Sequence, residues 1–176
     1  MPRPHLTEPG TRSVAMRLVD LLVAVLLLAG LAVLATALLR EESAAGRAHA
    51  IDGDTLELGG TRMRLAGIDA PELHQTCTRD GQSWDCGIAA RRALAEALRS
   101  GPVTCTHRRR DKYGRPLARC MVDGQDIAAL LVSQGLAVSY LDTRYAPQEA
   151  AARAARRGLW AGRFKRPVEY RAAHPR

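Results

Sequence analysis

Hydrophobic positions along the chain fall into two regimes. From Leu21 to Leu39 every residue is apolar except Thr36, and none is charged. A helix through this run would be roughly 28 Å long at ~1.5 Å per residue, enough to cross the hydrocarbon core of a bilayer. A buried core helix usually keeps a polar stripe, whereas this segment is apolar all round. Residues 18–39 are therefore expected to form a transmembrane helix, after a short cytoplasmic segment at 1–17. Ala35-Thr36-Ala37 is a small-residue sequence of the kind that signal peptidases cut. The apolar run nevertheless exceeds the ~7–15 residues of a signal-peptide core, so a retained signal-anchor is expected and a cleaved signal is the alternative. Arg3, Arg12 and Arg17 precede the run and Arg40 and Arg47 follow it. The balance of positive charge places the N-terminus in the cytoplasm by a small margin.

Beyond a linker at 40–47, rich in Ala, Glu and Ser, the pattern changes to short strands punctuated by Gly and Asp. Ile51 to Leu58 alternates after an Asp-Gly turn, Gly59-Gly60 closes a hairpin, and Met63 to Ile68 returns. Val103 to His107 and Leu117 to Val122 make a second hairpin. Between the hairpins, Gly87 to Ser100 places Ile88, Leu94 and Leu98 on one side and Arg91, Arg92, Glu96 and Arg99 on the others, as an amphipathic helix does. Asp126 is positioned to cap a second helix that stops at Gly135, and Pro147 to open a third that ends near Gly158. About three helices with a five-stranded β-barrel of OB type, α+β by content, is the expected fold over 48–162. Residues 163–176 read as an extended basic tail.

The chain's 176 residues leave room for one ordinary domain beside the apolar segment. Residues 1–45 hold four Arg against four acids, so the formal excess of +8 falls on the remainder. A basic small domain suits nucleic acid, anionic lipid or acidic polysaccharide, and charge alone does not choose among them. The Arg108-Arg109-Arg110 run reads by default as a solvated loop, and His74 and His107 as surface residues. Cys77, Cys86, Cys105 and Cys120 all follow the apolar segment, and none forms a C-x-x-C pair. Cys105 and Cys120 flank the turn at Lys112-Tyr113 almost symmetrically, which sets them opposite each other on antiparallel strands, and Cys77 and Cys86 can close a short loop. Two disulfides, Cys77–Cys86 and Cys105–Cys120, are expected, with four buried thiols as the alternative. Disulfides and the charge balance both place the domain outside the cytoplasm, periplasmic or extracellular.

Candidate chemistry is concentrated in Asp52-Gly53-Asp54-Thr55, Arg64 through Glu72, and Asp111-Lys112-Tyr113-Gly114-Arg115. Singly, each is an ordinary turn or strand exit. In this order, with Leu117-Ala118, Val132, Gly135-Leu136-Ala137 and Gly158-Leu159-Trp160 following, they resemble the staphylococcal nuclease family from about Ala50 to Trp160. The eight-residue step from Arg64 to Glu72 is a specific part of the match. The resemblance implies an OB-fold barrel, calcium dependence, and endonucleolytic cleavage of DNA, RNA or both to products with 3′-phosphates.

By the same resemblance, Asp54 and Asp69 hold Ca2+, with the backbone carbonyl of Ala70, water and a substrate oxygen completing the shell of a hard cation. The family commonly has Thr at Ala70; the change removes a hydroxyl and keeps the carbonyl. Arg64 and Arg115 match the catalytic arginines, whose planar fork fits two phosphate oxygens. Glu72 matches the catalytic glutamate, as general base or water-positioning group. Asp52 is expected to support the metal site from behind. Lys112 and Tyr113 match a loop that contacts a terminal phosphate, with a solvated turn as the alternative. Tyr140 arrives one residue earlier than the family's tyrosine and either stacks on a base or packs.

A catalytically inactive, membrane-anchored OB-fold module that binds nucleic acid is the competing reading. A pure single-strand binder would present several aromatic faces, and this chain has one Phe, two Trp and four Tyr in all. An envelope protein whose basic surface meets anionic polymers is a third reading. The enzyme reading is preferred because two carboxylates, two arginines and one glutamate are all present, and the chain is expected to act as a monomer.

Overall fold

The apolar run folds as one helix, α1 (Val14–Leu38), in a computed structural model that describes residues 14–38 and 40–175. Its stretch Met16–Thr36 is long and apolar enough to cross a membrane or to serve as a signal sequence. Within it, Thr36 donates its hydroxyl proton to the Val33 carbonyl at 2.8 Å, so this polar side chain is satisfied inside the helix. Residues up to Arg40 form one unit and those from Glu41 onward a second.

The second unit is built on a mixed sheet that curls into an OB-like barrel. Its strands are β1 (Glu42–Gly46), β2 (Ala48–Ala50), β3 (Thr55–Leu58), β4 (Thr61–Leu65), β5 (Ile68–Asp69), β6 (Cys77–Arg79) and β7 (Gln82–Trp84), followed by helix α2 (Cys86–Arg99). Then come β8 (Val103–Arg110), β9 (Pro116–Val122), β10 (Gln125–Asp126), α3 (Ile127–Ser133), β11 (Val138–Ser139), α4 (Ala146–Ala154) and α5 (Pro167–Ala173). The main sheet runs β1-β8-β9-β4-β3-β2, with β10 added beside β9. The β4–β9 pair is parallel, setting Arg64 beside Leu117 and Leu65 beside Ala118, and thereby joins the two hairpins. β5 pairs with β11, and β6 with β7.

Local signals account for much of this. Gly59 and Gly60 both adopt positive φ, 58° and 76°, as a two-residue hairpin between β3 and β4 requires. On α2 the buried positions Gly87, Ala90, Leu94, Ala97 and Leu98 follow the helical period, and Ala90, Leu94, Ala97 and Leu98 share one core with Leu56, Leu65, Val103 and Ile127. Asp126 caps α3 by accepting from the Ala128 and Ala129 amides at 3.0 and 3.2 Å. The buried Tyr145 donates its hydroxyl to the same carboxylate at 3.2 Å; burial, then the Asp126 charge, pushes its phenol up to about 12.

Four expectations are corrected. Residues 42–46 are not linker but strand β1, with Ala44 opposite Cys105. Alanine and glutamate carry little β preference, so the strand is recruited by the open edge of β8, whose backbone groups need partners. Because Glu42 lies opposite His107, β1 also buries that histidine, at 8% exposure, where a surface position was expected. The tail at 163–176 is not extended: Pro167 to Ala173 is helical, with Pro in the first turn and the Glu169 carboxylate accepting from the Arg166 amide at 3.1 Å. Arg108-Arg109-Arg110 continues β8 past a register shift between His107 and Arg109, so it is strand and not loop.

Both expected disulfides are present, Cys77–Cys86 and Cys105–Cys120. The second lies directly across the β8–β9 pair, and both its cysteines are fully buried. Replacing Cys105 and Cys120 together by Ala should lower stability by about 3 kcal/mol, the loop-closure value for a span of ~15 residues. Urea denaturation of the full chain in detergent, followed by tryptophan fluorescence, checks this.

Candidate active site

The hairpin that joins β2 to β3 ends at Asp54, and the paired register Thr55↔Arg64 brings Arg64 of β4 alongside it. Asp69 stands on β5, held by its pairing with Val138 of β11. Arg64 bridges the two acids: Nη1 donates to Asp54 Oδ1 at 2.6 Å and Nη2 to Asp69 Oδ1 at 2.7 Å. Both carboxylates are buried, Asp69 completely. Asp54 also accepts from the Thr55 hydroxyl at 3.2 Å and the Ala70 amide at 3.1 Å. Asp52 accepts from the Asp54 amide at 3.0 Å, which fixes the turn.

Burial dominates the electrostatics of Asp54, pushing its carboxyl up to about 7; Arg64 opposes this, while Asp52 and Asp69 add to it. For Arg64, burial pulls downward, but Asp54 and Asp69 outweigh it and hold the guanidinium above its ordinary value.

Glu72 follows on the loop leaving β5. Its backbone is clamped by Gln75, a side chain 1% exposed, whose Oε1 accepts from the Glu72 amide at 3.2 Å while the Gln75 amide donates to the Glu72 carbonyl at 2.8 Å. Gln75 Nε2 reaches the Lys165 carbonyl at 2.8 Å, tying this loop to the segment before α5. From α5, Arg171 donates to Asp69 Oδ1 at 2.9 Å and Oδ2 at 3.1 Å, and to Glu72 Oε1 at 3.0 Å. Asp69 and Glu72, brought close by the motif, are thus joined by a residue no motif contains.

Arg115 lies on the same cleft but is engaged elsewhere. Its Nε and Nη2 both lie 2.7 Å from Asp111 Oδ2, and the other Asp111 oxygen accepts from the Tyr113 and Arg115 amides. Arg115 also lies 5.5 Å from the centre of the Tyr113 ring, and Lys112 5.0 Å from it. Burial pushes the Asp111 carboxyl up, but the hydrogen bonds from Arg115 and Tyr113 and the Arg115 charge together outweigh it and hold the group below its ordinary value. Asp111 was not singled out from sequence as the residue that aims Arg115; its place four residues earlier in the same motif was the available signal.

All the sequence-predicted site residues except Asp69 line one open cleft of about 2010 Å³, and Asp69 lies beneath it, bonded to Arg64 and Arg171. The cleft wall is basic, with Arg108, Arg109, Arg119 and Arg144 beside Lys112. Tyr140 lines it half-exposed, its amide bonded to the Gly67 carbonyl at 3.0 Å. Tyr113 is well exposed at its lip. The donor set for a metal is all oxygen and suits a hard cation. Among the described residues no three His, Cys, Asp or Glu side chains gather at one point. Asp54 and Asp69 would thus be the charged ligands, with carbonyl, water and substrate oxygens supplying the rest.

Comparison with known proteins places the chain in a family. The chain matches the model of the staphylococcal nuclease homologues over residues 62–162. It is 36% identical over 140 residues to the succinoglycan biosynthesis protein ExoI of Rhizobium meliloti (strain 1021), covering 73% of each chain. It is 31% identical over 127 residues to an uncharacterized endonuclease of Haemophilus influenzae, covering 67% of this chain and 65% of that one.

A Cβ on Gly87, at the start of α2, would meet the Glu72 carbonyl oxygen at 1.8 Å, so the absence of a side chain there lets the Glu72 loop sit against the helix. Gly87→Ala should cost about 1–3 kcal/mol and speed hydrogen exchange at the Glu72 and Gln75 amides. Mass spectrometry of exchange and a denaturation midpoint read both effects.

Proposed function

The chain belongs to the staphylococcal nuclease homologues, phosphodiester hydrolases that are typically metal-dependent, and from that premise we propose that it is a calcium-dependent endonuclease cutting DNA, RNA or both to 3′-phosphate products. The observation that carries this reading is the pair of buried carboxylates, Asp54 and Asp69, bridged by Arg64 at the floor of a basic cleft with Glu72 nearby.

In this reading Asp54, Asp69 and the Ala70 carbonyl hold Ca2+, with Asp52 steadying the turn behind them. A calcium ion bound there would supply positive charge that offsets the negative charge of the phosphodiester. Glu72 accepts a proton from, or aims, the water that attacks phosphorus. The P–O5′ bond breaks opposite the new P–O bond, the departing 5′ oxygen takes a proton from solvent water in the open cleft, and the phosphate stays on the 3′ side. Arg64 and Arg115 stabilise charge developing on the phosphoryl oxygens, and Asp111 keeps the Arg115 fork oriented. Arg108, Arg109, Arg119 and Arg144 attract flanking phosphates, Lys112 and Tyr113 contact a terminal phosphate, and Tyr140 offers a face to a base.

The anchor and the disulfides complete the assignment. As a retained signal-anchor, α1 holds the protein in a bacterial-type inner membrane with residues 48–162 outside the cytoplasm, where disulfides persist. Cleavage after the apolar run would instead release the domain.

The full chain in detergent should degrade single- or double-stranded DNA or RNA in calcium and not in excess chelator. Glu72→Gln should lower the rate by about 10²–10⁴-fold while leaving the melting temperature nearly unchanged. Product ends should resist 3′ extension until treated with phosphatase. Folded protein that binds nucleic acid with calcium and cuts none of it would overturn the nuclease and favour the binding module.

A further inference from the structure

Arg171 is delivered to the cleft by the last helix, α5, seven residues long. So short a helix is unstable alone and needs tertiary contacts. It has them on the same loop that carries Glu72: the Tyr170 hydroxyl reaches the His74 carbonyl at 3.5 Å, Gln75 bonds the Lys165 carbonyl, and Pro167 is buried. Helix and loop are therefore fastened side by side, and Arg171 is the side chain that reaches across. Its rigid fork contacts both oxygens of Asp69 and one oxygen of Glu72. A glutamate has several rotatable bonds, and contact with a planar guanidinium narrows them.

We propose that Arg171 is a positioning residue of the active centre: by bonding Asp69 and Glu72 together it sets the spacing between the cation-holding acid and the water-directing acid. The C-terminal helix is then part of the catalytic unit. This inference rests on the nuclease reading, since it assigns Arg171 a place relative to the roles given there to Asp69 and Glu72.

Charge makes the proposal separable from simple structural support. Arg64 faces Asp54 and Asp69, Arg171 faces Asp69 and Glu72, and Asp52 adds negative charge beside Asp54, so removing Arg171 leaves the acids with less positive charge and favours an added cation. Arg171→Gln should therefore bind Ca2+ severalfold more tightly, by calorimetry on the full chain in detergent without nucleic acid. Its kcat should fall about 10–100-fold with KM little changed. Arg171→Lys keeps the charge and loses the fork: cation affinity should return toward the wild-type value while kcat stays low. Arg171→Lys also carries the test if Arg171→Gln fails to fold. Cation affinity, kcat and melting temperature falling together would reduce Arg171 to a structural contact and overturn the proposal. An unchanged or raised kcat would overturn it as well, the latter by making Arg171 a plug that the cation must displace. Wild-type protein that cuts nothing removes the nuclease reading and this one with it; active wild type matched by Arg171→Gln removes this one alone.

Discussion

Two carboxylates withdrawn from water beside each other repel, and each pays a desolvation cost that only a nearby cation offsets. In this fold Arg64 supplies that cation, bridging Asp54 and Asp69 through separate nitrogens. The compensation is incomplete, since burial still pushes Asp54 up to about 7 with Arg64 against it. A site in this condition retains an appetite for positive charge. That is the physical sense in which the floor of the cleft suits the proposed metal ion, and it constrains everything around it. A one-residue slip between β3 and β4 would turn Arg64 to the other face of the sheet, taking from Asp54 its ion pair and leaving Asp69 with Arg171 alone.

The surrounding architecture suppresses such a slip. The Gly59-Gly60 turn fixes the β3–β4 register from one end, and the parallel partner β9 fixes β4 from the other side. β9 is in turn bolted to β8 by the buried Cys105–Cys120 bond, which pins the hairpin whose turn carries Arg115. The arginine paired with Asp111, in the β8–β9 turn, and the arginine paired with Asp54 and Asp69, on β4, are consequently carried by one sheet. In the proposed reaction, holding these cations apart on a stiff frame would keep them from having to reorganise as charge develops between them.

Features governed by near neighbours were legible in the sequence: the Asp126 cap, the Gly-Gly hairpin, the period of α2 and the cross-strand cysteines each need only a few residues to specify them. Asp54, Arg64, Asp69 and Glu72 were legible through motif order, and the structure gathers them. Residues whose state depends on distant partners were not. β1 exists because β8 has an open edge, and His107 is buried because β1 forms. Gln75 looks like any loop glutamine until its bond to Lys165, ninety residues away, is seen. Arg171 sits among basic residues of similar appearance, and only the docking of α5 distinguishes it.

The proposed compartment and the proposed metal constrain each other. A calcium site with only two carboxylates belongs at the weak end of the range, because affinity rises with the number of charged ligands and the rigidity of the site. Such a site fills where calcium is abundant, as it is outside the cytoplasm, and stays largely empty where it is scarce. The same boundary separates the conditions in which the two disulfides persist from those in which they are reduced. The frame that holds the arginines and the ion that would complete the carboxylate pair thus favour the same side of the membrane. An enzyme built this way would be poorly armed during synthesis and competent after export, with no separate inhibitor needed to protect the nucleic acid inside the cell.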